Sequence, residues 1–223
     1  PPGRVLELPV FQPGQHYASV YDYYQLQEAR EQPGGYSTIA PKAAFDFSFT
    51  HNRLSCGVWL PGDGSELETL GITRVLFHRG LYTQAHRRGA WFAWRGLQEA
   101  GYRPVVTDGR VTLFAPGAAE EGAPVPEPDR SKPFLCTGWR GQTAIGRQAT
   151  LWIYGEGLLD LDVRFPSSLP VTAWVDGRFA DRRVLAPSGF LRADLGRLGW
   201  HSILLNAPRA GFTLIHVGPT PAP

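Results

Sequence analysis

Two kinds of hydrophobic pattern divide this chain. In the first half, apolar runs of strand length alternate with helical periodicity. Val5-Leu6-Glu7-Leu8-Pro9-Val10 follows a glycine and predicts a strand. Between 17 and 29, apolar and aromatic residues at 17, 20, 21, 24 and 26 predict a helix stopped by Pro33-Gly34-Gly35. Pro41 to Phe49 predicts a second, shorter helix. Ser65 to Leu70 predicts another, with Ser65 as its N-cap and Gly71 as its stop. Ile72 to His78 predicts a buried strand, and 89 to 100 an amphipathic helix closed by Gly101. Strands over 103–107 and 110–114 flank Asp108-Gly109, a strong hairpin signal.

The second half contains strands alone. Segments 148–154, 158–165, 171–175, 182–185, 190–195, 200–206 and 212–217 are short, alternating and punctuated by Gly, Pro and Asp. Asp176-Gly177 marks a further hairpin. Seven such strands predict a sandwich of antiparallel sheets, of the jelly-roll or immunoglobulin-like kind. Residues 116–133 are rich in proline and acidic side chains and lack periodicity, which reads as an extended linker. The expected fold class is therefore α+β in two domains. An α/β domain with a mixed sheet occupies 1–115, the linker 116–133, a β-sandwich 134–218 and a proline-rich tail 219–223.

Composition narrows the function classes. A hydrophobic content of 43% supports a packed core and argues against wholesale disorder. With 22 basic and 20 acidic residues the formal charge is +2, which lacks the basic excess of a nucleic-acid footprint. Only Lys42 and Lys132 among the basic residues are lysine, a bias that points to a GC-rich genome. No apolar run reaches the roughly 18 residues a membrane span needs. Methionine is absent and the chain starts Pro1-Pro2-Gly3, so the expectation is a fragment of a longer protein. Cys56 and Cys136 either pair or remain buried thiols.

Candidate chemistry is sparse. No nucleophile elbow, zinc-protease helix, Walker loop or dinucleotide fingerprint occurs, and no cofactor is implied. The six histidines do not fall at metal-ligand spacings, so no metal is expected either. Gly141-Gln142-Thr143 and Gly155-Glu156-Gly157 read as turns. His78 ends an apolar strand, where α/β folds place functional groups, although a histidine bonded to backbone is the plainer account. His201 reads as a satisfied or surface histidine. Asp160 and Asp162 share one face of a strand, where a solvated sheet needs polar residues anyway. Trp152 and Trp174 sit at alternating strand positions. They are either core side chains or platforms for sugar rings. The constrained loop Pro33 to Pro41 carries Tyr36 and Ser37.

Several of these segments, in order, resemble a known pattern. They are Val5-Leu6-Glu7-Leu8-Pro9, Tyr21-Asp22-Tyr23-Tyr24, Gly35-Tyr36-Ser37 with Pro41, Leu67 to His78, and the helix ending at 97–101 before Asp108-Gly109. Together, over residues 3 to 115, they resemble the extracytoplasmic C-terminal region of bacterial multi-span glycosyltransferases of the GT-C, protein-mannosyltransferase-like group. This chain has Pro33-Gly34 where that group has Asn before Gly-Tyr-Ser. The group's catalytic acidic residue lies between membrane helices, so no catalytic residue carries over. The resemblance implies a parent membrane domain upstream of residue 1 and a location on the extracytoplasmic face of the bacterial membrane. It implies a glycan or polyprenyl-linked sugar acceptor as partner. It also implies an oxidising compartment and hence a disulfide between Cys56 and Cys136.

Three function classes follow. The first is a non-catalytic domain that positions acceptor or glycan beside a membrane glycosyltransferase. The second is a pair of carbohydrate-binding modules of a cell-surface protein. The third is a small hydrolase or transferase using His51, His78 and Asp22 near the Gly-Tyr-Ser loop. Candidate ligand-binding residues are Tyr36, Ser37, His51 and His78 in the first half and Trp152 and Trp174 in the second.

Overall fold

A computed structural model describes residues 4–11, 20–21, 41–82, 87–117, 126–165, 168–185, 188–209 and 211–219. Strands dominate and form three sheets among these residues. The chain divides into two compact units, 1–127 and 128–223.

The first unit is built on four strands in the order β1-β2-β4-β3, with β1 Arg4–Leu8, β2 Ile72–His78, β3 Tyr102–Thr107 and β4 Val111–Pro116. β1 runs parallel to β2, whereas β2–β4 and β3–β4 are antiparallel, so the sheet is mixed. The parallel pair requires a long crossover, and that connection includes helices α1 (Lys42–His51) and α2 (Asp63–Thr69). Helix α3 (Arg87–Glu99) links β2 to β3. Its Ala90, Ala93, Trp94 and Leu97 recur at helical spacing and join the sheet's Leu6, Leu8, Ile72, Val75, Phe77 and Phe114 in one core. Trp94 meets Phe77 and Phe114 edge-on, at 5.5 and 4.7 Å between ring centres.

The structure departs from the sequence pattern at α2 and β2. α2 starts at Asp63 behind Gly62, so Ser65 lies inside the helix and is not its cap. The Asp63 carboxylate faces inward, toward Arg53 and the Leu60 amide, which sets the start of the helix. β2 is buried at Ile72 and again from Val75 to His78, with Leu76 half-buried. Thr73 and Arg74 are exposed because β4 pairs with it from Val75 onward. The expected helix over 17–29 lies outside the described residues except for Val20 and Tyr21, which are helical.

The second unit holds two five-stranded sheets. One runs β11-β10-β13-β8-β5, comprising β5 Phe134–Leu135, β8 Gln148–Gly155, β10 Leu169–Val175, β11 Arg178–Leu185 and β13 Gly199–Asn206. The other runs β12-β9-β14-β7-β6, comprising β6 Trp139–Arg140, β7 Thr143–Ala144, β9 Leu158–Arg164, β12 Ser188–Asp194 and β14 Thr213–Pro219. Alternate residues of both sheets enter one core, including Leu151, Val171, Ala173, Ile203 and Leu205 from the first and Leu161, Val163, Leu191 and Leu214 from the second. All seven predicted strands are present. β5, β6 and β7 are two-residue strands, too short for alternation to reveal. The Asp176-Gly177 turn has positive φ at both residues, 47° and 74°, as a two-residue primed hairpin requires.

Candidate functional site

Three clusters of polar or aromatic side chains stand out, and each is placed by local structure. The first lies at the carboxyl ends of the parallel strands β1 and β2. Glu7 and His78 are both buried, and His78 Nε2 lies 2.5 Å from Glu7 Oε2. The Tyr21 ring packs against the imidazole, 5.1 Å between centres, and its hydroxyl donates to the Pro9 carbonyl at 2.8 Å. The Glu7–His78 pair therefore brings the two strand ends into one close buried contact. Beyond His78, Tyr82 stacks on Phe77. Burial pushes the Tyr82 phenol well above the ordinary tyrosine range. Its hydroxyl has no hydrogen-bond partner among the described residues.

The second cluster joins the end of α1 to the start of α2. His51 ends α1, one turn after Phe47, and its ring stacks on the Phe47 ring at 4.2 Å. Nδ1 lies 3.0 Å from the Phe47 carbonyl oxygen. Nε2 faces Glu66 Oε2 at 3.4 Å. Asp63 completes the group, with one potential ligand atom from each of the three residues within 4.8 Å of the others. Asp63 is itself held. Arg53 donates from Nη1 to its Oδ2 at 2.5 Å and from Nη2 to its Oδ1 at 2.6 Å, and the Leu60 amide donates to Oδ2 at 2.7 Å. Arg53 comes from the short 3₁₀ turn Asn52–Cys56 and also donates to the Val58 carbonyl at 2.9 Å.

The third set lies in the second unit. Alternation along β10 sends Val171, Ala173 and Val175 inward and leaves Thr172 and Trp174 on the outer face, half-buried. Trp174 pairs directly with Phe179 of β11 and meets its ring edge-on at 5.9 Å. Phe179 is 59% exposed. Thr172 lies between Arg182 and Asn206, both exposed, so polar groups flank the aromatic pair. The Asp162 and Asp160 side chains share the outer face of the other sheet, opposite Phe190 and Arg192 of β12 respectively. Arg192 Nε lies 3.3 Å from Asp160 Oδ1, so this carboxylate is engaged in an ion pair. His201 Nδ1 lies 2.7 Å from Asp176 Oδ2, and its Nε2 2.9 Å from the Arg197 carbonyl. Ser202 donates from its amide to Asp176 Oδ1 at 2.8 Å. Asp176 is thus the acceptor that holds its hairpin to β13.

The residues expected from sequence scatter among these groups. His78 belongs with Glu7, and His51 with Glu66 and Asp63. Trp174 stands half-buried on an outer face, whereas Trp152 is only 2% exposed and offers no open ring face. Tyr36, Ser37 and Asp22 lie outside the described residues. Both cysteines, Cys56 and Cys136, are disulfide-bonded, and neither is free. Sequence reasoning missed Glu7, Asp63, Glu66 and Phe179. Glu7 had a signal, as the one charged residue within an apolar strand. Asp63 and Glu66 had another, as an Asp-x-x-Glu spacing that places both on one side of a helix.

No protein-family model matches the sequence, and no curated protein matches it. Among solved structures, the chain is similar to a family two carbohydrate esterase from Clostridium thermocellum in complex with cellohexaose. That match has 16% identity over 33% of this chain and 24% of the esterase, at a TM-score of 0.28. It is similar to the secreted serine protease VesC from Vibrio cholerae, with 10% identity over 41% of this chain and 24% of the protease, at 0.31. It is also similar to a family 35 carbohydrate binding module from an environmental isolate, with 13% identity over 43% of this chain and 83% of the module, at 0.26. The chain thus spans about a quarter of the esterase's length. No helix among the described residues is long and apolar enough to cross a membrane.

Proposed function

We propose that the second unit is a β-sandwich module that binds carbohydrate without catalysing a reaction. The observation that carries this reading is the Trp174–Phe179 pair on the outer face of β10 and β11. A pyranose presents an apolar C–H face that stacks on aromatic rings and a rim of hydroxyls that needs polar partners. Trp174 and Phe179 supply the rings, and Thr172, Arg182 and Asn206 supply donors and acceptors beside them. An aromatic as exposed as Phe179 contributes little to the core, which leaves it available to a ligand.

Isothermal titration against a panel of soluble oligosaccharides tests the proposal. Saturable binding is expected, lost in Trp174→Ala and Phe179→Ala and retained in Phe190→Ala on the opposite sheet. Absence of binding to every glycan, or loss of binding in Phe190→Ala alone, refutes the assignment.

A second reading places the whole chain beside a membrane glycosyltransferase on the extracytoplasmic face, with the module holding acceptor or nascent glycan. The Glu7–His78 pair favours it. Two of the sequence segments that carry the GT-C resemblance, 5–9 and 67–78, meet there in one buried contact. Reading the gene upstream of residue 1 tests this, and a gene without membrane helices there removes it.

A further inference from the structure

We propose that His51, Asp63 and Glu66 form a binding site for one divalent transition-metal cation of the zinc class. The proposal concerns the first unit and does not depend on the glycan reading. The starting point is the tautomer of His51. A backbone carbonyl accepts and cannot donate, so Nδ1, 3.0 Å from the Phe47 oxygen, carries hydrogen. In the neutral ring the lone pair is then on Nε2. The ring is 1% exposed and stacked on Phe47, so it is held in that orientation.

Nε2 is buried, makes no hydrogen bond among the described residues, and faces Glu66 Oε2 at 3.4 Å. A lone pair opposed to a carboxylate oxygen is repulsive unless something positive lies between them. A proton on Nε2 relieves that repulsion toward one carboxylate. The geometry contains two, because an Asp63 oxygen also lies within 4.8 Å of the same group. One cation coordinated by all three satisfies the nitrogen and both acids together.

The surroundings suit that occupant. A histidine whose second nitrogen is fixed by a backbone carbonyl is pre-oriented as a metal ligand. One imidazole nitrogen and two carboxylate oxygens form a borderline donor set that favours zinc over calcium or magnesium, which take mainly oxygen ligands. The Glu66 side chain is 53% exposed, so it can close by the last ångström and leaves a path for the ion and a fourth, water ligand. Asp63 retains an acceptor site. Its Oδ2 takes two donors, from Arg53 and the Leu60 amide, but its Oδ1 takes one. With neutral His51, the formal charges of Asp63, Glu66 and Arg53 sum to −1. The cation therefore enters a site of negative sign, although the guanidinium weakens it relative to one with two free carboxylates.

The test uses the untagged chain, stripped with chelator and titrated with zinc chloride by calorimetry, with cobalt(II) as an optical probe. One equivalent of zinc is expected, together with a visible cobalt spectrum that zinc displaces. Glu66→Gln should weaken zinc by at least about tenfold. His51→Gln should abolish binding. Because that variant replaces a buried ring, the imidazole ¹⁵N resonances of His51 in the wild-type chain are followed as well, and Nε2 should shift on zinc addition. The proposal is overturned if no saturable binding occurs. It is equally overturned if Glu66→Gln binds like wild type, or if zinc binds without moving the His51 resonances.

Discussion

Replacing Arg53 by leucine tests the reading that a buried ion pair, and not apolar packing alone, fixes the turn between α1 and α2. The two side chains are 3% and 4% exposed, so solvent screens them weakly. The guanidinium serves three acceptors: both oxygens of Asp63 and the Val58 carbonyl. Removing it strands a buried carboxylate, a loss of about 3–5 kcal/mol. The leucine recovers part of this through apolar burial, so a net loss of about 3 kcal/mol is expected. At about 4 °C per kcal/mol for a unit of this size, the first unit should melt about 12 °C lower. Urea unfolding followed by near-ultraviolet circular dichroism measures the free energy directly. Arg53→Leu combined with Asp63→Leu removes both charges and should be more stable than Arg53→Leu alone, with a coupling of about 2 kcal/mol. A single-variant loss below about 1 kcal/mol would refute the reasoning, as would a double variant no better than the single one.

Two further perturbations probe the same unit. Tyr82→Phe removes a buried hydroxyl that has no hydrogen-bond partner among the described residues. It should leave stability unchanged or raise it by up to about 1 kcal/mol in urea unfolding at pH 7. The same variant carries a pH signature. Because burial raises the folded phenol above its unfolded value, the unfolded chain loses this proton first as pH rises. Wild-type stability from this group is complete below the unfolded value near pH 10 and is lost above it, by up to about 1.4 kcal/mol per pH unit. Unfolding curves at pH 8 and 11 should show a smaller alkaline loss in Tyr82→Phe, and equal losses would contradict the assignment. Gly96→Ala should destabilise by more than about 2 kcal/mol, although helix propensity alone favours alanine by about 1 kcal/mol. An added Cβ would lie 2.5 Å from the Gly57 Cα, backbone that cannot swing aside. A thermal melt at or above the wild-type temperature would rule out that close approach.

Much of the secondary structure was legible because period and punctuation agree. Strands β9, β10 and β12 alternate, and Asp176-Gly177 supplies the positive φ that joins β10 to β11. Helix α3 was legible from its apolar stripe and from Gly101, whose φ of 87° ends it. The start of α2 was not, because Ser65 satisfies the capping rule locally while the pairing of Asp63 with Arg53 overrides it.

The candidate sites divide in the same way. Single residues such as His51, His78 and Trp174 could be picked out of the sequence by type and position. Their partners could not, because Glu7 reaches His78 only through the parallel pairing of β1 with β2. Asp63 and Glu66 reach His51 only because two short helices meet end to end around Arg53. Phe179 reaches Trp174 through a bulge in the β10–β11 pairing, a one-residue shift that alternation does not announce. Sequence by itself determined which segments become strands and helices, since hydrophobic period and turn chemistry act over a few neighbouring residues. Only the tertiary structure decided which charged and aromatic side chains face one another, because that depends on register and crossover between distant segments. The same packing decided that Trp174 stays half-buried on an outer face while Trp152 is buried.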